Sequence, residues 1–299
     1  MLWAEQSLFA QAAGLVAYHP FNGNANDESG NGHHGTIVGA TLTTDRFGVP
    51  NSAFHFGGNG EHIEVPHSAD LNLTSGYTLA AWVNFEVGGI IRPRIVDKTS
   101  CIFYMDDTSA VRALNLSGSG DPPLDVASGP KNLVAGQWYF VAGTYDLQMW
   151  RLYVNGAPVG QLVQTAPVQV NTDPLEIGKK PTGFDAFKGI IDDVRIYNRA
   201  LSDTEIMALS GADSDGDGVS DVSDECPNTP AGAIVDANGC SIDQLAPCAG
   251  PITGGIWRNH GAYVSAVAKT AEQFLAAGLI TAEYKDAVVS NAAKSDCGK

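Results

Sequence analysis

Five aspartates, Asp213, Asp215, Asp217, Asp221 and Asp224, stand at positions 1, 3, 5, 9 and 12 of a twelve-residue stretch, with Gly218 at position 6. Carboxylates at alternating positions around a glycine form the pattern of a calcium loop, because a hard cation takes six to eight oxygens in one shell. The backbone carbonyl of Val219 supplies position 7 in that pattern. Five carboxylates this close repel one another unless a cation sits among them. The other reading of the same residues is an acidic, solvated linker. Position 12 is Asp224 rather than Glu, one methylene shorter, and Cys226-Pro227 follows at once. No helical pattern fills the residues after the loop, which excludes a helix–loop–helix sensor.

The sequence carries no other recognisable catalytic or cofactor motif. There is no G-x-S-x-G, no HExxH, no glycine-rich phosphate loop and no Cys/His zinc spacing. Glu61 and Glu64 are three apart, which places them on opposite faces of a strand. His33-His34 are adjacent and diverge on extended chain, so they read as a surface loop. His62 and His260 stand alone and carry no expectation of chemistry. Trp82, Trp138 and Trp150 fall on predicted strands, where core packing competes with stacking on a sugar ring.

The chain has 299 residues and a formal charge of −16, from 17 Lys and Arg against 33 Asp and Glu. That balance disfavours nucleic acid, polyanions and anionic membranes as partners. No run of eighteen apolar residues occurs, so no transmembrane segment is expected. Residues 1–13 hold an apolar stretch and Ala10-Gln11-Ala12, but no Lys or Arg precedes Arg46. They read as a signal remnant, a trimmed start or a disordered first segment.

The elements that must position these residues are mostly short strands between Gly, Asn and Pro turns. About a dozen strands are predicted over residues 14–198. TLAAWVNF (78–85) is apolar on both faces, as in a buried strand. IIRPRIVDK carries Pro93 and reads as an edge strand or bulge. Residues 115–136 read as a long surface loop. Asn155-Gly156 marks a hairpin. LSDTEIMALS (201–210) is a short helix with Ser202 and Glu205 as a capping box. Two further helices follow, one with apolar residues at 264, 267, 271, 274 and 275, the other capped by Thr281. In GIIDDVRIYN, strict alternation puts Asp192 on a face with Val194 and Ile196, and Asp193 with Ile191 and Arg195. One of these acids therefore enters a packed face and needs a partner: a metal, Arg195 or a backbone N–H.

Two resemblances follow from these residues. LVAYHPFNGNANDESGNGHHGTIVGA, the AAWV strand, GQWYFVAGTYD, LYVNG and GIIDDVRIYNRALSDTEI together resemble the laminin-G-like jelly roll of the concanavalin-A superfamily, across nearly all of 14–210. The resemblance implies an antiparallel two-sheet sandwich. It also implies one calcium where the first long loop meets the last strand, which carries over to Asp27 and Asp192 with backbone oxygens near Gly32. The aspartate loop followed by CPNTPAG and VDANGC resembles a thrombospondin type 3 repeat over roughly 213–243. That family implies extracellular calcium held for structure and a disulfide inside the repeat, here Cys226–Cys240. Asp236, Asn238 and Asp243 read as an Asx turn or as added ligands. Cys226, Cys240, Cys248 and Cys297 allow three pairings. Adjacency and the repeat resemblance together favour 226–240 and 248–297, with Cys101 a buried free thiol. The pattern suits an oxidising compartment.

The expected protein is mainly β: a jelly roll over 14–210, a calcium repeat over 211–247 and a helical hairpin over 248–299. The expected function is a secreted or cell-surface calcium-binding recognition or adhesion protein, non-catalytic, with glycans or extracellular proteins as partners. The alternatives are a structural spacer or surface-layer component without a ligand, or a glycoside hydrolase with an unrecognised site.

Overall fold

The computed structural model describes residues 13–88, 92–108, 111–117, 126–129, 133–165, 167–181, 185–211, 217–220, 224–226, 228–230 and 232–299. The expectations for residues 1–12 and for Asp213, Asp215 and Asp221 lie outside the described residues. The chain divides into two compact units, Met1–Ser210 and Gly211–Lys299.

In the first unit fifteen strands occur among the described residues. They are β1 (Leu15–His19), β2 (Thr36–Val38), β3 (Thr41–Thr43), β4 (Ala53–Gly57), β5 (His62–Val65), β6 (Tyr77–Phe85), β7 (Arg94–Asp97), β8 (Ile102–Thr108), β9 (Val111–Ser117), β10 (Val126–Ser128), β11 (Trp138–Tyr145), β12 (Met149–Val154), β13 (Ala157–Val163), β14 (Leu175–Ile177) and β15 (Lys188–Tyr197). They form two antiparallel sheets. One runs β13-β12-β11-β6-β15-β4-β3, with β1 also on β15; the other runs β10-β9-β8-β7-β14-β5-β2.

The sheets face each other through one apolar core. Leu79, Ala81, Val83, Val141, Leu152, Ile191, Val194 and Ile196 come from the first sheet, and Ile63, Val65, Val96, Phe103, Leu116, Leu175 and Ile177 from the second. Each such aliphatic side chain contributes about 1.5–3 kcal/mol when fully buried. The opposite face of the first sheet is also covered. Ala80, Phe140, Ala142, Tyr153 and Tyr197 pack with Leu201 and with Ile206 of helix α1 (Asp203–Ser210). That is why β6 is apolar on both faces. The Ser202–Glu205 capping box forms as the sequence indicated.

Three local features decide what the sheets present. The β12–β13 hairpin turns at Asn155 and Gly156, both with positive φ (48° and 81°), the type I′ geometry that suits strand twist. Pro93 precedes a register shift between Arg94 and Val96, so β7 carries a bulge; it is an interior strand, not an edge. The stretch 115–136 is not all loop, because Val126–Ser128 pairs with β9.

In the second unit a one-turn helix, α2 (Ile242–Leu245), is capped by a Ser241–Gln244 box. Helices α3 (His260–Ala276) and α4 (Ala282–Lys294) follow, capped by Asn259 and Thr281. Ile242 and Ala246 share a core with Tyr263, Val267, Ala271, Phe274, Ile280 and Ala292. The hairpin is therefore not self-contained: it takes apolar side chains from before Pro247, and residues 211–299 form one body. Two disulfides tie it, Cys226–Cys240 and Cys248–Cys297, with Cα separations of 5.1 and 4.9 Å. Cys101 is free and buried, and burial pushes its thiol up to about 12. Among the described residues no helix is long and apolar enough to cross a membrane.

Candidate functional site

The aspartate loop is described at Asp217–Ser220 and at Asp224. Gly218 has φ +96°, the left-handed conformation the sharp turn requires. Asp217 Oδ1 accepts from Val219 N at 2.8 Å, so the carboxylate folds over its own turn. Asp217 Oδ2 is buried and accepts no hydrogen bond. The Asp224 carboxylate accepts from Cys226 N at 2.6 Å. Both acids converge on the backbone of Gly239, where an added Cβ would strike the Asp224 carboxyl and come within 3.1 Å of Asp217 Oδ2. A glycine is needed there because two carboxylates already fill the space. Asp236 forms the Asx turn, accepting from Asn238 N at 2.9 Å and Cys240 N at 3.1 Å.

The residues carried over from the jelly-roll resemblance sit in different surroundings. Asp27 Oδ1 accepts from Tyr18 N and Ser29 N, and Oδ2 from Ser29 Oγ and His33 N, all at 2.8–2.9 Å. Burial opposes its ionisation, but these four donors outweigh it and hold the carboxyl down to about 2. All four acceptor positions are thus used to pin the 18–33 loop. Asp27→Ala is expected to cost about 2–3 kcal/mol, because buried N–H donors lose their acceptor. The folded pKa is depressed, so Asp27's contribution is present above about pH 4 and is lost as pH falls through 2. Chemical denaturation at pH 7 and pH 2.5 checks both points: the variant loses stability at the first and far less at the second.

Asp192 and Asp193 do not alternate across β15. A register shift lies between Asp192 and Arg195, and Asp193 takes φ +50°. The bulge returns Val194 to the same core as Ile191 and turns both carboxylates to one cation. Arg46 reaches Asp192 Oδ2 and Asp193 Oδ2, each at 2.9 Å. Its guanidinium lies 4.4 Å from the Phe47 ring centre and 4.5 Å from that of Trp82. Arg195, the partner considered from sequence, stands at 3.4 Å from Asp193 and stacks on Tyr18. Burial first, and the Asp193 charge second, push Asp192 up to about 7 against the pull of Arg46. The bulge is also where β15 changes neighbours: residues 188–191 pair with β4 and residues 194–197 with β1.

A further cluster was not anticipated. Glu64 of β5 lies opposite Glu176 of β14 in register, and Glu176 lies opposite Asp97 of β7. His62, two residues before Glu64, shares its face. One ligand atom each from His62, Glu64 and Glu176 lie within 4.8 Å of one another. Among the described residues no other group of three His, Cys, Asp or Glu side chains stands close enough to share a metal. Burial is the main influence raising Glu176, with Lys179 and His62 pulling the other way. The H-I-E alternation marks His62 and Glu64 as neighbours; Glu176 is more than a hundred residues away and no local signal joins it to them.

The aromatics mostly fill the interior. Trp150 is buried and Trp82 is covered on one face by Arg46. Phe47, at 75% exposure, is the one exposed Phe, Tyr or Trp of 14–210 among the described residues. It sits on the Arg46–Asp192–Asp193 base.

Two facing antiparallel sheets around one apolar core define a jelly-roll sandwich. Residues 56–207 match the family model described as the concanavalin A-like lectin/glucanases superfamily, and the chain belongs to that family. Pappalysin-1 of Homo sapiens is 26% identical over 190 residues, 55% of this chain. The chain spans only 11% of that relative's length. An alpha-agarase of Thalassotalea agarivorans is 73% identical over 30 residues, 10% of this chain and 2% of that one. Among solved structures, domain 4 of AbnA, a GH43 extracellular arabinanase from Geobacillus stearothermophilus in complex with arabinotriose, aligns with TM-score 0.53 and 22% identity. The alignment covers 66% of this chain and 98% of that domain.

Proposed function

We propose that residues 14–210 are a non-catalytic glycan-recognition module in a secreted or cell-surface protein. We propose further that residues 211–247 are a thrombospondin type 3-like repeat stiffened by calcium. The observation that carries the first reading is the likeness to nearly the whole of an arabinanase domain solved with arabinotriose. The two disulfides fit an extracellular setting. Recognition is favoured over hydrolysis because Glu176 of the one paired-glutamate cluster among the described residues is buried, whereas a glycosidase pair flanks an accessible sugar bond.

Calcium, when bound, supplies a divalent charge that offsets the clustered carboxylates. Asp213, Asp215, Asp217, Asp221 and Asp224 with the Val219 carbonyl would hold it. The orphaned, buried Asp217 Oδ2 beside Asp224 fits a cation ligand better than a solvated linker. Cys226–Cys240 closes the segment behind it, and a loop of about fifteen residues gains roughly 3 kcal/mol from closure.

On the jelly roll, Phe47 supplies the sugar platform. Its ring is exposed, and the arginine beneath it is fixed by two carboxylates, so little ordering is left to binding. The wild-type protein is expected to bind a subset of a glycan array, and Phe47→Ala to weaken that binding about tenfold, one stacked ring being worth about 1 kcal/mol or more. An array with no hits, or a Phe47→Ala profile equal to wild type, would count against the platform. Pulldown of an extracellular protein instead would favour the protein-binding form of the same reading.

A further inference from the structure

We propose that His62, Glu64 and Glu176 form a second metal site, separate from the aspartate loop and selective for a borderline divalent ion of the zinc type. Three observations converge on it. The three side chains share the outward face of the second sheet, with Glu64 and Glu176 paired across β5 and β14 and His62 two residues along β5. One ligand atom from each falls within 4.8 Å of the others. Around a zinc ion with ligand bonds near 2.0–2.1 Å, ligand atoms stand about 3.4 Å apart. The cluster closes to that spacing by a contraction of at most about 1.4 Å, within reach of small χ changes in Glu64 and Glu176.

The second observation is the state of the histidine. His62 is 8% exposed, and its Nδ1 lies 2.8 Å from the Gly60 carbonyl oxygen. That contact places the proton on Nδ1, where it is donated to the carbonyl. Nε2 is the ring nitrogen left over to ligate. Metal-binding histidines are held in this way, with one ring nitrogen donating to a fixed acceptor and the other free to ligate.

The third is the buried carboxylate. Glu176 is 3% exposed and its Oε2 accepts no hydrogen bond. The Lys179 ammonium forms an ion pair with it at 3.7 Å, longer than a hydrogen bond. A buried carboxylate oxygen met only by one distant ammonium keeps lone pairs for a second cation.

The donor set decides the ion. One imidazole and two carboxylates are too few and too nitrogen-rich for calcium, which takes six to eight oxygens. They suit a four-coordinate zinc-type ion with three protein ligands and a fourth position for water or for an oxygen of a bound partner.

The experiment is a zinc titration of the metal-stripped full chain by calorimetry, in calcium sufficient to fill the aspartate loop. One equivalent of zinc is expected to bind in the micromolar range or tighter, and cobalt in its place to give visible absorption bands. Glu176→Gln and His62→Asn are each expected to weaken binding about a hundredfold or more. Glu61→Gln, which alters the neighbouring acid outside the cluster, leaves it unchanged. Melting of each variant without metal shows that the fold is intact. An Asp217→Asn/Asp224→Asn variant separates the two metal readings: it should keep the zinc site while losing any calcium response. Absence of zinc binding at 100-micromolar levels, or equal binding by wild type and Glu176→Gln, overturns the proposal.

Discussion

Chelation is expected to lower the melting transition of residues 211–299 by roughly 10–30 °C relative to millimolar calcium. The size follows from mass action: an ion present at 100–1,000 times its dissociation constant stabilises by about 2.7–4.1 kcal/mol. Each kcal/mol moves the midpoint of a domain this small by about 4–8 °C. The apolar core available to offset such a loss is modest, with eight buried side chains shared by three helices. Scanning calorimetry suits the measurement because it separates this transition from that of the jelly roll. The double variant Asp217→Asn/Asp224→Asn should melt at the chelated temperature in either buffer. If wild type melts identically with calcium and with chelator, the acidic loop is a linker and the repeat reading fails.

Arg46→Ala is expected to destabilise the jelly roll by about 3–5 kcal/mol, the cost of stranding buried charge without its partner. The side chain is only 17% exposed, and it faces Asp192 and Asp193 at 3% and 14%. Arg46→Lys should recover little, because one ammonium cannot bond two carboxylates in a plane while stacking between two rings. Adding Asp192→Asn to Arg46→Ala should restore more than half of the loss. The pH dependence has a fixed sign. Asp192 has a folded pKa raised to about 7, so its contribution is full below about pH 4 and is lost as pH rises through 7. Arg46→Ala should therefore be less damaged at pH 5 than at pH 8. A loss below 1 kcal/mol at pH 8, or no recovery in the double variant, would show that the cluster is not a buried ion network.

What the sequence disclosed and what it withheld divides by distance along the chain. The β12–β13 turn, the Ser202 and Thr281 caps and the apolar spacing of β6 depend on neighbours a few residues away, and each was readable. The cysteine pairs were readable because the repeat resemblance implied Cys226–Cys240, which left Cys248 and Cys297, 49 residues apart, to pair with each other. Asp192 was recognised as an acid needing a partner, but its partner was not. Strict alternation fails at the bulge, and Arg46 lies 146 positions earlier. Glu176 was invisible as a companion to His62 and Glu64 for the same reason: only strand register brings it there. Of the aspartate loop, Asp217, Val219 and Asp224 are described, and the orphaned oxygen of Asp217 was not to be read from spacing.

The pairing of β1 with the end of β15 bears on how this protein is made. Leu15 meets Tyr197, Asn198 N donates to the Gly14 carbonyl and Arg199 Nε to that of Ala13. As the chain leaves a ribosome, β1 must wait for nearly two hundred residues before its partner in β15 is made. Until then the nascent chain shows an open, apolar strand to the surroundings, and such long-range closure is slow. Once formed, the same seam sets the two ends of the sandwich side by side, so a chain rejoined there and opened at the Asn155-Gly156 turn should reach the same fold.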